Sequence, residues 1–228
     1  MSEPRVYTAL LQSKKMIAQD ILELRFARPH GFSFAPGQFV QFKIPDGAVY
    51  VWRSYSISSL PSEDYLEFCV KVLPDGKASK FFAEIAPGGN GFMSAAKGMF
   101  VCQPTHQPKK YFIATGTGLA PIISMVGAIA EQKAGQAELL FGVRNQADLF
   151  WLERLERYAE KFSGFTYQVT LSQPEEPWGN LRGRVTSHIA GDPAGEYYIC
   201  GSVEMVKEVR AIILAKGLNT KSIHIEIF

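Results

Sequence analysis

Apolar and polar residues alternate over short segments in the first half of the chain, and turn-forming residues separate these segments. The clearest alternation is Gln38–Ile44, which lies between a Pro-Gly turn and a Pro-Asp-Gly turn. A period of two residues is typical of a strand with one buried face. Further strands are predicted at Val6–Lys15, Ile21–Ala27, Val51–Ser58 and Tyr65–Leu73. Short strands joined by turns predict a small antiparallel β-barrel. A helix is predicted over Ala78–Ile85 and a loop over Pro87–Gly98.

Strands and helices alternate in the second half of the chain. The predicted strands are Tyr111–Ala114, Glu138–Val143, Thr166–Leu171, Glu196–Cys200 and Ser222–Ile227. The predicted helices are Pro121–Gln132, Leu149–Lys161, Val185–Ala190 and Val203–Ala215. This alternation predicts a parallel sheet with helices on both faces, and thus an α/β domain. The stretch Gln103–Pro108 has two prolines and no hydrophobic period, so the predicted domains are residues 1–104 and 105–228.

Composition narrows the function classes. Hydrophobic residues make up 46% of the 228 residues and charged residues 20%, as in ordinary globular proteins. The net charge of +2 gives no support for nucleic-acid binding, but it permits a local basic face for an acidic partner. The sequence has no apolar run long enough to cross a bilayer and no signal peptide, which predicts a cytoplasmic protein. The three cysteines match no disulfide framework, metal site or four-cysteine cluster.

A glycine-rich turn, Ala114–Pro121, lies between a predicted buried strand and a predicted helix. Its glycines permit a tight turn and a close approach to a ligand, and Pro121 fits the first turn of a helix. A helix N-terminus behind such a turn offers N–H groups to a phosphate. Because proline replaces the last glycine of the usual dinucleotide fingerprint, a plain strand-to-helix turn also stays open.

The segment Arg53–Ser56 lies on a predicted barrel strand and combines a cation, an aromatic ring and two hydroxyl groups. Alternate residues of a strand share a face, so Arg53 and Tyr55 point one way and Ser54 and Ser56 the other. One interpretation is a polar, partly exposed strand. The other is a cofactor platform, on which the guanidinium grips a phosphate and the aromatic ring lies against a cofactor ring.

Together these motifs resemble the flavin- and nicotinamide-binding module of the ferredoxin–NADP reductase family. The matching segments follow the family's order along nearly the whole chain: Pro36–Phe39, Arg53–Ser56, Gly76–Ser79, Ala114–Pro121, Phe141–Arg144, Cys200–Ser202 and Glu226–Phe228. The resemblance implies a barrel that binds flavin and an α/β domain that binds the nicotinamide coenzyme. No metal site is implied.

The resemblance also implies a role for individual residues. The implied flavin-binding residues are Arg53, Ser54, Tyr55, Ser56, Gly76, Lys77, Ala78 and Ser79. The implied coenzyme-binding residues are Thr115, Gly116, Thr117, Gly118, Pro121, Arg144, Arg184, Cys200 and Gly201. The implied catalytic residues are Ser56, Cys200 and Glu226, and Phe228 would cover the flavin. Structural interpretations stay open for some: Cys200 as core, Glu226 as a solvated strand residue, Ser79 as a helix start and Phe228 as a frayed terminus.

The implied activity is hydride transfer from NADPH to bound FAD, and then electron transfer to a separate acceptor such as a ferredoxin or a flavodoxin. NADH and FMN stay open, because Gln173 stands where many relatives carry an arginine and the adenine contacts leave no signature. No fused iron–sulfur domain is expected, so the acceptor is expected to be a separate molecule. The alternatives are a free-flavin reductase, the reductase component of an oxygenase and a non-catalytic regulatory subunit. The sequence leaves the oligomeric state open.

Overall fold

The protein is described here as a computed structural model, in which residues 5–227 are placed. The first half forms a six-stranded antiparallel sheet with the strand order β4-β3-β6-β1-β2-β5. Its strands are β1 (Val6–Ala18), β2 (Ile21–Ala27), β3 (Phe39–Asp46), β4 (Val49–Ser56), β5 (Tyr65–Lys71) and β6 (Asn90–Ser94). An isolated bridge between Ile57 and Phe68 joins the end of β4 to β5 and brings the two edges together. The predicted N-terminal β-barrel is confirmed.

Strand β6 corrects the sequence-based prediction, because it lies within Pro87–Gly98, which was predicted to be a loop. Of its five residues, Gly91, Met93 and Ser94 are buried, so the strand lacks the apolar run that would have marked it. Gly91 packs directly against an aromatic ring, since a Cβ there would lie 2.6 Å from Phe26 Cε1. The glycine that weakened the strand signal is therefore required by the packing. The short helix α1 (Lys77–Glu84) precedes β6 and agrees with the prediction.

The second half forms a six-stranded parallel sheet with the strand order β10-β9-β8-β7-β11-β12. Its strands are β7 (Lys110–Thr115), β8 (Ala137–Val143), β9 (Phe165–Leu171), β10 (Leu181–Arg182), β11 (Glu196–Gly201) and β12 (Ile223–Ile227). The helices α2 (Leu119–Gln132) and α3 (Leu152–Lys161) share one hydrophobic cluster, and α4 (Val203–Ala215) belongs to another. The predicted α/β architecture is confirmed.

Two predicted helices differ from the structure. Val185–Ala190 contains only a 3₁₀ turn over Val185–His188, flanked by extended backbone, so the α-helix prediction there is wrong. The helix predicted over Leu149–Lys161 begins three residues later as α3, because Trp151 adopts a left-handed conformation with φ of +57°. A left-handed residue cannot continue a right-handed helix.

The hydrophobic core crosses from one sheet to the other. Ile21 and Cys69 of the first sheet, with Phe100 and Cys102 that follow it, belong to the same buried cluster as the apolar residues of α2. A core shared in this way explains why α2 is buried along nearly its whole length. The domain boundary at residue 104 stays a prediction. Within residues 5–227, no helix is long and apolar enough to cross a membrane.

Candidate flavin and coenzyme site

The two sheets meet where the carboxyl ends of β11 and β12 approach the end of β4. The Ser56 hydroxyl of β4 donates a hydrogen bond to Glu226 Oε1 of β12 at 3.1 Å. Glu226 is paired with Cys200 in the register of β12 and β11. Burial raises the pKa of the Glu226 carboxyl, and the hydrogen bond from Ser56 opposes this shift. The structure thus brings together all three of the predicted catalytic residues.

The glycine-rich turn is packed tightly against the end of β11. Gly116–Gly118 form a 3₁₀ turn between β7 and α2. A Cβ on Gly118 would lie 2.2 Å from the Cys200 carbonyl oxygen, and a Cβ on Gly201 would lie 2.2 Å from Thr115 Oγ1. Real side chains do not tolerate such distances, so both positions require glycine. The backbone of the turn therefore sits at the carboxyl edge of the sheet, where ligands of open α/β sheets bind.

The turn opens into a cavity of about 870 Å³. Predicted coenzyme-binding residues line this cavity together: Thr115, Gly116, Thr117, Arg144 and Arg184. A Cβ on Gly116 would meet no atom within 4 Å, so the backbone there faces open space. The first turn of α2, which the structure describes in full, carries no acidic residue that would repel an anion. Free backbone, a helix N-terminus and two arginines fit a phosphate-bearing dinucleotide.

The antiparallel sheet also contributes to this cavity. Gln19, Asp20 and Ile21, at the turn between β1 and β2, line one wall, and Lys71 at the end of β5 lies beside them. The Lys71 ammonium is 3.1 Å from the Asp20 carboxylate. No local pattern in the sequence marks these residues, because only the packing of one sheet on the other brings them to the cavity.

Strand β4 presents the predicted flavin-binding side chains. Arg53 and Ser54 are exposed, and Arg53 Nη1 donates to the neighbouring Trp52 carbonyl at 3.0 Å. Tyr55 is half-buried and packs edge-on against Phe82, with ring centroids 5.4 Å apart. Burial raises the pKa of Tyr55 to about 12, so its phenol is neutral at physiological pH. An accessible guanidinium beside an aromatic ring and hydroxyl groups fits a phosphate-bearing flavin.

The second predicted flavin segment, Gly76–Ser79, begins α1. The Ser79 hydroxyl oxygen accepts a hydrogen bond from the Leu73 amide at 2.9 Å, and the side chain is buried. Ala78 is buried as well, and Lys77 forms an ion pair with Asp46 of β3. Ser79 therefore stabilises the turn before the helix, and its contact with flavin phosphate stays a prediction.

The predicted roles of Cys200, Pro121 and Phe228 also stay open. Cys200 is fully buried, and burial, with the nearby Glu226 charge, holds the pKa of its thiol well above the usual range. It does not line the coenzyme cavity, so its predicted contact with nicotinamide stays a prediction. Pro121 is buried in the first turn of α2, where it supports the helix start. Phe228 lies outside the described residues.

Family models and relatives match both halves of the chain. An oxidoreductase FAD-binding domain matches residues 8–101, and an oxidoreductase NAD-binding domain matches residues 112–211. Ferredoxin–NADP reductase B of Sorangium cellulosum is 30% identical over 243 aligned residues, which cover 99% of each chain. The chain belongs to the ferredoxin–NADP reductase family. It is an NAD(P)H-dependent flavin oxidoreductase that passes electrons to a separate acceptor.

Other relatives of this reductase differ in length. The electron transfer component of anthranilate 1,2-dioxygenase from Acinetobacter baylyi is 32% identical, over 86% of this chain but only 58% of that protein. The crystal structure of a Neisseria gonorrhoeae ferredoxin NADP⁺ reductase, with bound FAD and NADP, superposes with a TM-score of 0.86. It is 24% identical and covers 99% of each chain, so it supports the fold.

Proposed function

We propose that this reductase takes hydride from NADPH onto bound FAD and passes the electrons to a ferredoxin or a flavodoxin. When bound, the flavin supplies the hydride acceptor and the nicotinamide supplies the donor. The observation that carries the proposal is the hydrogen bond from Ser56 to Glu226, because it joins the flavin strand to the last strand of the coenzyme-binding sheet. A reacting pair held between these strands would lie at a place where both sheets contribute polar side chains to the same contact.

The flavin-binding side chains have separable roles. The Arg53 guanidinium binds a flavin phosphate through charge-assisted hydrogen bonds, and the Tyr55 ring packs against the isoalloxazine. Ser56 holds the edge of the ring system that faces Glu226, and the turn Gly76–Ser79 carries further phosphate contacts through its backbone. Glu226 orients the nicotinamide, and burial raises the pKa of its carboxyl.

The coenzyme is held by backbone at one end and by cations at the other. The amides of Thr115–Gly118 and the N-terminus of α2 bind the pyrophosphate. Arg144 and Arg184, both exposed on the cavity wall, bind the 2′-phosphate, which favours NADPH over NADH. Lys71 of the antiparallel sheet lines the same cavity and is paired with Asp20.

The acceptor is the least constrained part of the proposal. The full-length relative from Sorangium cellulosum is a ferredoxin–NADP reductase, which favours a ferredoxin, whereas several relatives are reductase components of oxygenases. We place the reductase in the cytoplasm because its three cysteines are buried free thiols, which fit a reducing compartment.

The deciding experiment follows the flavin through one cycle. Purified protein should keep its flavin through gel filtration, lose the absorbance of oxidised flavin when NADPH is added, and recover that absorbance with ferredoxin or flavodoxin. Loss of flavin on the column, with activity only toward added flavin, would favour the free-flavin reductase. A protein that retains flavin but does not accept hydride from either coenzyme would identify the non-catalytic alternative.

A further inference from the structure

A buried ion pair links the antiparallel sheet to helix α3 at a position separate from the coenzyme cavity. Glu67 of β5 has a fully buried side chain, and Arg154 of α3 has a side chain only 11% exposed. Arg154 Nη1 donates to Glu67 Oε1, while Nη2 donates to the Ser58 carbonyl at 2.8 Å. Its Nε donates to the Tyr158 hydroxyl at 3.0 Å. One guanidinium therefore binds three partners in a fixed geometry, two of which belong to the antiparallel sheet or its flanking segment.

The carboxylate is equally well satisfied. Glu67 Oε1 also accepts from the Ser58 hydroxyl at 2.9 Å, and Oε2 accepts from Arg25 Nε at 3.0 Å. Burying two charges is costly, and apolar residues of similar volume often stabilise a fold as well or better. A fully bonded pair that joins β5 to α3 is therefore better explained by the geometry that it imposes than by the stability that it adds.

A short segment of chain connects the ion pair to the proposed reaction site. Ser58 follows Ser56 by two residues, and Ser56 contacts Glu226. The next carbonyl, that of Ser59, accepts a hydrogen bond from Ser124 Oγ of α2 at 2.7 Å. The segment after β4 is thus anchored by both α2 and α3, the two helices that pack together on one face of the coenzyme-binding sheet.

The helices and this segment are in close contact as well. A Cβ on Gly127 of α2 would lie 2.6 Å from Leu60 Cδ2 and 2.8 Å from the Tyr158 hydroxyl. The glycine allows α2 to approach the segment and α3 at once, so the anchoring bonds act across a tightly packed junction. A rotation of one sheet against the other would have to break these bonds.

We propose that Arg154 is a positioning residue for hydride transfer, which acts through Glu67 and Ser58 to fix the flavin strand relative to the coenzyme-binding sheet. The inference rests on the proposed function, since donor and acceptor are assigned to different sheets. Hydride transfer requires the reacting atoms to be aligned closely, and a misplacement of about 1 Å costs on the order of 100-fold in rate. Arg154 touches neither the coenzyme cavity nor β4 itself.

The test separates positioning from stability by removing both charges together. In Arg154→Met, the buried Glu67 carboxylate keeps only the partly exposed Arg25 as a cationic partner, so a loss of thermal stability is expected from that buried charge. The double variant Arg154→Met/Glu67→Leu removes that charge, so its melting temperature should return close to that of the wild type. Its flavin reduction by NADPH, measured in a single turnover by stopped flow, should remain slower by roughly 10- to 100-fold. Oxidation of the reduced flavin by ferricyanide, which needs no coenzyme, should keep the wild-type rate.

Two further variants sharpen the result. Arg157→Met removes an exposed arginine from the same helix and should leave both half-reactions unchanged. Arg154→Lys keeps a cation beside Glu67 but loses the second donor to the Ser58 carbonyl, so flavin reduction should be slowed at nearly wild-type stability. Amide hydrogen exchange provides a readout independent of turnover: the segment 57–67 should exchange faster in the lysine and double variants than in the wild type.

The proposal is overturned if the stable double variant reduces its flavin within twofold of the wild-type rate. If the double variant does not fold, Arg154→Lys decides the question, and a wild-type rate of flavin reduction in that variant overturns the proposal. Failure of the wild type to accept hydride from NADPH or NADH would instead refute the proposed function, so the two failures are distinguishable.

Discussion

The glycine turn and strand β4 form the site by opposite means. At the turn, backbone packs on backbone, and a single added carbon on Gly118 or Gly201 would collide with its neighbour at 2.2 Å. On β4, exposed side chains such as Arg53 and Ser54 carry the predicted contacts, and the strand lies at an edge of its sheet. Substitution at the turn should therefore disrupt the structure itself, whereas substitution on β4 should remove one contact and leave the fold intact.

The largest expected effect follows from Gly118→Ala. The added Cβ must displace the Cys200 carbonyl, and overpacking of this kind costs about 1–3 kcal/mol or more of stability. Because the turn and the end of β11 would move together, the variant should also lose the ability to use either nicotinamide coenzyme. Thermal denaturation and steady-state kinetics with NADPH and NADH measure the two effects.

Gly179→Ala is the matched control, since a Cβ there would meet no atom within 4 Å. It should change neither the melting temperature nor the kinetics. An alanine at position 118 that leaves coenzyme use intact would show that the tight packing at the turn is not needed for binding.

The next effect comes from the cations of the cavity. Replacing Arg144 and Arg184 together by alanine should lower kcat/KM for NADPH by roughly 100-fold or more, since each charge-assisted contact contributes about 1.5–3 kcal/mol. The value for NADH should stay nearly constant, because it lacks the 2′-phosphate. The double variant Lys207→Ala/Arg210→Ala removes two exposed cations of α4 as a control. If the wild type already prefers NADH, the two arginines have another role.

How far the sequence predicts these features depends on how local their signals are. The glycine turn was found directly, since strand, turn and helix follow one another within Lys110–Gln132. Ser56 and Glu226, 170 positions apart, were paired in function only through the family resemblance, and the structure places them in contact. Their catalytic roles stay predictions.

Features that depend on packing between sheets left no trace in the sequence. Lys71 and Asp20 reach the coenzyme cavity only because the turn between β1 and β2 packs against the other sheet. Glu67 lies in the middle of an apolar strand, and its partner Arg154 is 87 positions away on a helix that shows an ordinary pattern of charges. A periodic pattern indicates which face of an element is buried, but not which other element covers it.

A smaller effect is expected from Arg53→Ala, because only one side chain is removed. Loss of one charge-assisted contact should weaken flavin binding by about 10- to 100-fold without a change in fold. Arg53→Lys keeps the charge but loses the planar fork, so its affinity should lie between those of the wild type and the alanine variant. Titration of the flavin-free proteins with FAD and with FMN measures the affinities and shows which flavin binds more tightly.

Lys15→Ala, at an exposed position of β1, serves as the control for loss of positive charge. Equal flavin affinity in the wild type and Arg53→Ala would contradict the assignment of Arg53 to the flavin phosphate. An affinity loss accompanied by altered circular dichroism would instead show that the fold is as sensitive to substitution on β4 as at the glycine turn. That result would contradict the contrast between the two regions.

The smallest effect concerns Glu226, where the two regions touch. Burial raises the pKa of this carboxyl above the value of the unfolded chain, and the Ser56 hydrogen bond offsets only part of the shift. A folded-state pKa above the unfolded one means that the folded state binds the proton more tightly. This group's contribution to stability is therefore present at pH values below the unfolded pKa and is lost as pH rises through the raised value.

Glu226→Gln carries no titrating proton at this position. The free energy of unfolding of the variant minus that of the wild type should therefore rise with pH over the same interval and then stay constant. Cys200, paired with Glu226, keeps a neutral thiol across this range because its pKa is raised as well. Urea denaturation of both proteins from about pH 4 to pH 8 gives the difference directly, since all other groups titrate alike in the two. A flat difference would mean that the pKa of Glu226 is not shifted by folding. A difference that falls with pH would mean that the hydrogen bond from Ser56 stabilises the carboxylate more than burial destabilises it.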